Sequence, residues 1–133
     1  MSLTQEDLVT RLTAAGVGTL ATSLFTGSGT PAPDGDGPYT FVIATPGERP
    51  VVTHTKGKTD YTRPRAQIVT KARNSVVALN KCTDAWAALD LTNVTIGTTR
   101  YLKIRPLQEP FDMGRDENDL YRYGFNVSME RAA

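Results

Sequence analysis

From residue 121 to residue 129 every second side chain is aromatic or aliphatic: Tyr121, Tyr123, Phe125, Val127 and Met129. Only an extended chain gathers such a series onto one side, because successive side chains of a strand point to opposite faces. The pattern therefore predicts a strand with a buried face. A second strand is predicted just upstream at Tyr101-Leu102-Lys103-Ile104-Arg105, with Leu102 and Ile104 on one face and Tyr101, Lys103 and Arg105 on the other. Between the two lie Pro106, Pro110 and Gly114, then the charged run Arg115-Asp116-Glu117-Asn118-Asp119. Two strands joined by a polar arm of this kind form a scaffold that presents a surface.

The rest of the chain supplies what such strands need to pack against. Thr4 is placed as the N-cap of a first helix, with Asp7 three residues on to meet the free amides and the helix dipole. Leu3 and Leu8 are spaced as a hydrophobic staple. Leu8, Leu12 and Ala15 form one face, and Gly16 is the expected stop. Residues 26–38 (TGSGTPAPDGDGP) are too rich in glycine and proline for helix or central strand and read as a flexible loop. Tyr39 to Thr45 is predicted as a strand ended by a Pro46-Gly47 turn, with Pro50 to Thr53 as its short partner. Alternation from Ala66 to Ala72 predicts another strand, with Pro64 at its start. Asn74 then caps a second helix whose face is read as Val76, Leu79, Cys82, Trp86 and Leu89, with Trp86 anchored in the core. The order is α-β-β-β-α-β-β. It predicts an α+β fold in which two helices pack on a mainly antiparallel or mixed β-sheet, with residues 1–133 as one domain.

Composition narrows the function classes. Fifteen basic and fourteen acidic residues leave a net charge of +1, whereas a dedicated nucleic-acid binder carries a basic excess or stripe. The start of the chain, MSLTQEDL, lacks the basic and apolar segments of a signal peptide. No apolar run reaches membrane-spanning length. A single cysteine excludes an internal disulfide or a cysteine-based zinc cluster.

Candidate catalytic groups do not assemble into a constellation. His54 is the only histidine, so neither a triad nor a multi-histidine metal site is available from it. Cys82 lies in the apolar stripe of the second helix and reads as core. Gly57-Lys58-Thr59 resembles the end of a phosphate loop, but the required glycine five residues earlier is Val52. Asp112, Asp116, Asn118 and Asp119 lack the spacing of a calcium loop. What remains is Arg63, Arg65, Arg105, Arg115 and Arg122, mixed with the acids at 116–119. Such arginines serve bidentate pairs between subunits or simply a solvated face. On residues alone, an assembly protein, a small α+β enzyme and a nucleic-acid-binding module all stay open.

A resemblance weighs among them. Thr45-Pro46-Gly47 with Pro50 and Thr53-His54, then Tyr61-x-Arg63-Pro64-Arg65-x-Gln67, are followed by Tyr101-Leu102-x-Ile104-x-Pro106-Leu107-Gln108-x-Pro110-Phe111. Gly114-Arg115-Asp116-Glu117-Asn118 and Phe125-Asn126 complete the series. In this order they are similar to small minor capsid or tail-terminator proteins of long-tailed bacteriophages. The resemblance implies a non-enzymatic virion protein without cofactors, made in the host cytoplasm and placed at the head-proximal end of the tail. It implies a ring, expected to be hexameric, that caps the tail tube and offers a surface to a head-completion protein. The neighbouring head–tail connector is the alternative within the same virion region. Genomic DNA would pass through the ring without specific binding. Arg63, Arg65, Arg105, Arg115, Asp116 and Glu117 are the residues expected at subunit or tube interfaces.

Overall fold

A computed structural model describes residues 4–18, 24–26, 37–52, 59–96, 99–117 and 119–132. Leu3, His54, Gly57, Lys58, Asn118 and most of the 26–38 loop lie outside them. Among the described residues the order is α1 (Thr4–Ala14), β1 (Leu24–Thr26), β2 (Tyr39–Val52), β3 (Thr59–Ala72), α2 (Ser75–Ala88), β4 (Leu91–Ile96), β5 (Thr99–Pro106), β6 (Phe111–Arg115) and β7 (Tyr121–Ala132). The strands form one mixed sheet, β1-β2-β3-β7-β5-β4, and β6 also pairs with β7. The α+β class is as the sequence predicts.

The strand series departs from expectation in three places. Pro46-Gly47 does not turn the chain: β2 runs on to Val52 against β3, with register shifts after Thr45, after Glu48 and after Val51. Bulges absorb an unpaired proline without ending a strand. The segment 91–96 and the short β1 both join the sheet, β1 running parallel to β2. Finally, much of the expected polar arm is strand. β6 pairs with the first half of β7 and β5 with the second half, all antiparallel.

The break between β5 and β6 follows from local chemistry. Pro106 and Pro110 lack amide protons and cannot extend a ladder. Leu107 N donates to Asn126 O at 2.8 Å, and the Gln108 side chain accepts from Asn126 N at 2.8 Å. A side chain thus replaces a ladder carbonyl. Trp86 Nε1 donates to Gln108 O at 3.1 Å, so the α2 tryptophan clasps this connection from outside and is only partly buried.

Both helices cover one face of the sheet. Leu8, Leu12, Cys82, Ala85 and Leu89 pack there against Val42, Ala66, Ile68, Ile104, Phe125, Val127 and Met129. The buried stripe of α2 is Ala78, Cys82, Ala85 and then Leu89, while Val76 and Leu79 of the expected stripe are 61% and 38% exposed. Small side chains let the helix approach the sheet closely, so they take the inner face although larger apolar residues were available. Asn74 caps α2 as predicted, its side chain accepting from Val76 N at 2.9 Å. α1 ends at Gly16, φ +80°, with Val17 N bonded to Leu12 O and Gly16 N to Thr13 O. That is the Schellman pattern, in which glycine takes the left-handed position.

Asp7 does not serve the helix end alone. It is buried and accepts from Tyr101 Oη at 2.6 Å, joining α1 to β5. Plain alternation would set Tyr101 on the face opposite Ile104, with Lys103 and Arg105. A register shift between Tyr101 and Lys103 turns it inward, fully buried beside Ile104.

Candidate functional site

The sheet face away from the helices is divided along its length. At one end Phe25, Tyr39, Phe41, Val69 and Leu120 form a second apolar cluster, joined by Ile43 and Met113. Phe25 stacks on Phe41 with ring centroids 5.3 Å apart, and Lys71 Nζ lies 5.1 Å from the Phe41 centroid. The Met113 side chain of β6 covers this end: an added Cβ at Gly124 would come within 2.7 Å of both Met113 Sδ and Ile68 O.

The other end is charged. Strand register places Arg65 opposite Ser128, Ser128 opposite Arg105, and Lys103 opposite Glu130. Arg63, Arg65, Lys103, Ser128, Met129 and Glu130 line a shallow cavity of about 190 Å³. Lys103 Nζ stands 3.6 Å from Glu130 Oε1. Arg105 is turned to the β4 edge, where it pairs with Asp90 and donates to Thr92 Oγ1 at 2.8 Å.

The remaining expected residues sit at the β6–β7 turn. Asp116 accepts from Leu120 N at 3.0 Å and pairs with Lys71 Nζ at 3.4 Å, so it holds the turn to β3. Arg115 pairs with Asp119 at 3.6 Å, bonds the Tyr121 hydroxyl and lies over that ring, 4.6 Å from its centroid. Its guanidinium is pushed to still higher pKa, first by the Tyr121 hydrogen bond and then by Asp119. Asp112 accepts from Gly114 N at 2.7 Å. Glu117 is exposed.

The six expected residues thus separate into three places. Arg63 and Arg65 share the groove. Arg105 ties β5 to β4. Arg115, Asp116 and Glu117 stand at the turn, nine residues of β7 away from Glu130, on the order of 30 Å at the rise of a strand. Lys103, Ser128 and Glu130 complete the groove and were not singled out in sequence. Their strand alternation was legible, but the pairing of β3, β7 and β5 that unites them is not local.

Among the described residues two interior ionisable side chains, Cys82 and Tyr101, are strongly shifted. Burial pushes the Cys82 thiol up to about 12, against a smaller opposing effect of its Thr70 hydrogen bond. Burial raises Tyr101, reinforced by its bond to Asp7 and that residue's charge, with Arg131 opposing. Neither is placed as a reactive group, since a nucleophilic thiol needs its pKa lowered.

These observations define a class: an α+β protein on a mixed sheet, helices on one face, with a charged groove at one end of the other face and a charged turn beside an apolar cluster at the opposite end. The chain belongs to a bacteriophage tail terminator family. Residues 11–132 match the family model described as bacteriophage tail terminator protein. Among solved structures the chain is similar to one from the virion of a native gene transfer agent particle. The TM-score is 0.63 at 15% identity, over 98% of this chain and 95% of that one, a likeness of fold. No curated protein matches. The resemblance seen in the sequence is therefore confirmed at the level of the family. The protein has a structural role in tail termination.

Proposed function

We propose that copies of this protein close into a ring, a hexamer, on the head-proximal end of the tail tube. The ring ends polymerisation of the tube and offers its exposed side to a head-completion or connector protein. The role is assembly without catalysis, and genomic DNA passes through the lumen without a binding site of its own. The chain folds for this purpose as one domain, made in the host cytoplasm.

One observation carries the reading: charged residues of the sheet sort into two unlike patches at opposite ends of β7. A ring of identical subunits uses heterologous contacts, in which one patch meets a different patch on the next copy. Arg63, Arg65, Arg105, Arg115, Asp116 and Glu117 are accordingly proposed as interface residues. The near-zero net charge supports passive contact with DNA, because affinity for phosphates requires accumulated cations.

The test is electron microscopy of particles assembled in cells that lack this protein. Tails of uncontrolled length, or long empty tubes, are the expected result. Tails of normal length that simply lack heads would overturn termination and indicate a connector instead.

A further inference from the structure

We infer that the β6–β7 turn of one copy seats in the Arg63/Arg65/Lys103 groove of the next, with Glu117 as the entering carboxylate. The inference rests on the ring reading above and specifies which two surfaces meet.

The groove comes first. Three of its lining residues are cations and one is a carboxylate. Guanidinium groups recognise carboxylate or phosphate through paired N–H donors. The size of the cavity, about 190 Å³, is below the roughly 300–1,000 Å³ of pockets that enclose cofactors or small ligands. A single side chain fits that space. A nucleic-acid backbone would need the cations to continue as a track. Instead Gln67 pairs with Asn126 in the next outward-facing row, and the apolar cluster around Phe41 and Val69 lies beyond. The ligand chemistry that matches is one carboxylate carried on a small protrusion.

The turn supplies that charge. Its acids other than Glu117 are engaged within this copy. Asp112 holds Gly114 N, Asp116 holds Lys71 and Leu120 N, and Asp119 pairs with Arg115. Those contacts fix the turn at the end of β7, with Glu117 exposed. The Lys71–Asp116 pair leans the turn toward the same sheet face as the groove, because Lys71 alternates with Val69, Gln67, Arg65 and Arg63 along β3. Groove and turn therefore mark the two ends of one face. Joining one end to the opposite end of the next copy repeats head to tail, as a closed ring requires.

Two measurements test the pairing in assembled particles. In the first, Glu117→Cys and Ser128→Cys are combined and treated with a short bis-maleimide. Cys82 stays silent because it is fully buried with its thiol pKa raised. The double variant should give a ladder of linked copies, and each single variant none. Incorporated protein that remains unlinked in the double variant would overturn the pairing.

The second measurement is a charge exchange scored by incorporation and tail length. Glu117→Lys, at an exposed turn position, should lower capping on the order of tenfold or more. Arg63→Glu with Arg65→Glu should do the same, and combining all three should restore it. Normal capping by Glu117→Lys would sink the pairing while leaving the ring reading intact. Loss of the termination reading has a different signature: normal tail length in particles that lack the protein altogether.

Discussion

Cys82 and Tyr101 show how much of a side chain's chemistry is set by what surrounds it. Cys82 is fully buried on the inner face of α2, and its thiol is pushed from an ordinary 9.0 to about 12. The native protein should therefore resist thiol reagents at pH 8 and react only after denaturation; rapid labelling without denaturant would contradict that burial. Both groups also couple stability to alkaline pH. Each binds its proton more tightly when folded, so its stabilisation is complete below the unfolded pKa and is lost as pH rises toward the folded one. Thermal melts should show stability falling from about pH 9 upward, first through Cys82 and then through Tyr101. Cys82→Ala should flatten the early part of that fall. Tyr101→Phe leaves the buried Asp7 carboxylate without its 2.6 Å donor and should cost about 1–3 kcal/mol at neutral pH.

Among the secondary-structure elements, β6 depends most on its context. Its sequence, Phe-Asp-Met-Gly-Arg, has little strand preference, and no alternation marks it. It forms because β7 has an edge left open where β5 departs at Pro106, and because Gly124, lacking a side chain, leaves room for Met113 of β6. Gly124→Ala should cost about 1–3 kcal/mol from overpacking against the Ile68 carbonyl, measured by denaturant melts. An unchanged midpoint would show that the Ile68 carbonyl and Met113 both give way freely. α2 makes the complementary point. Its periodicity admits two overlapping faces, and the close fit to β3 and β7 selects Ala78, Cys82 and Ala85 over Val76 and Leu79.

At the scale of the whole molecule, the helices cover one sheet face with the main core, while the other carries a small apolar cluster at one end and surface charge beyond it. The charged groove and the acidic turn then lie at the two ends of that face. Contacts between such exposed charges are screened by salt. The ring proposed above should weaken by roughly tenfold or more between low and high ionic strength, read by sedimentation or by native mass spectrometry. Salt-insensitive rings would place the dominant contact elsewhere, on apolar surface such as Val76 and Val77 of α2.

The sequence by itself determined the α+β class, the caps at Asn74 and Gly16, the alternation of β3 and β7 and, through its ordered motifs, the family. Each of these is local, or depends on residue types at fixed spacing. Tertiary structure alone decided the paired strands and their registers. A proline–glycine step can be a turn or a bulge, and a five-residue segment such as β6 becomes a strand only when a neighbour offers hydrogen bonds. Register then decided the groove. Arg63 and Arg65 on β3, Lys103 on β5 and Glu130 on β7 are scattered along the chain, and only side-by-side pairing of three strands brings them to one cavity.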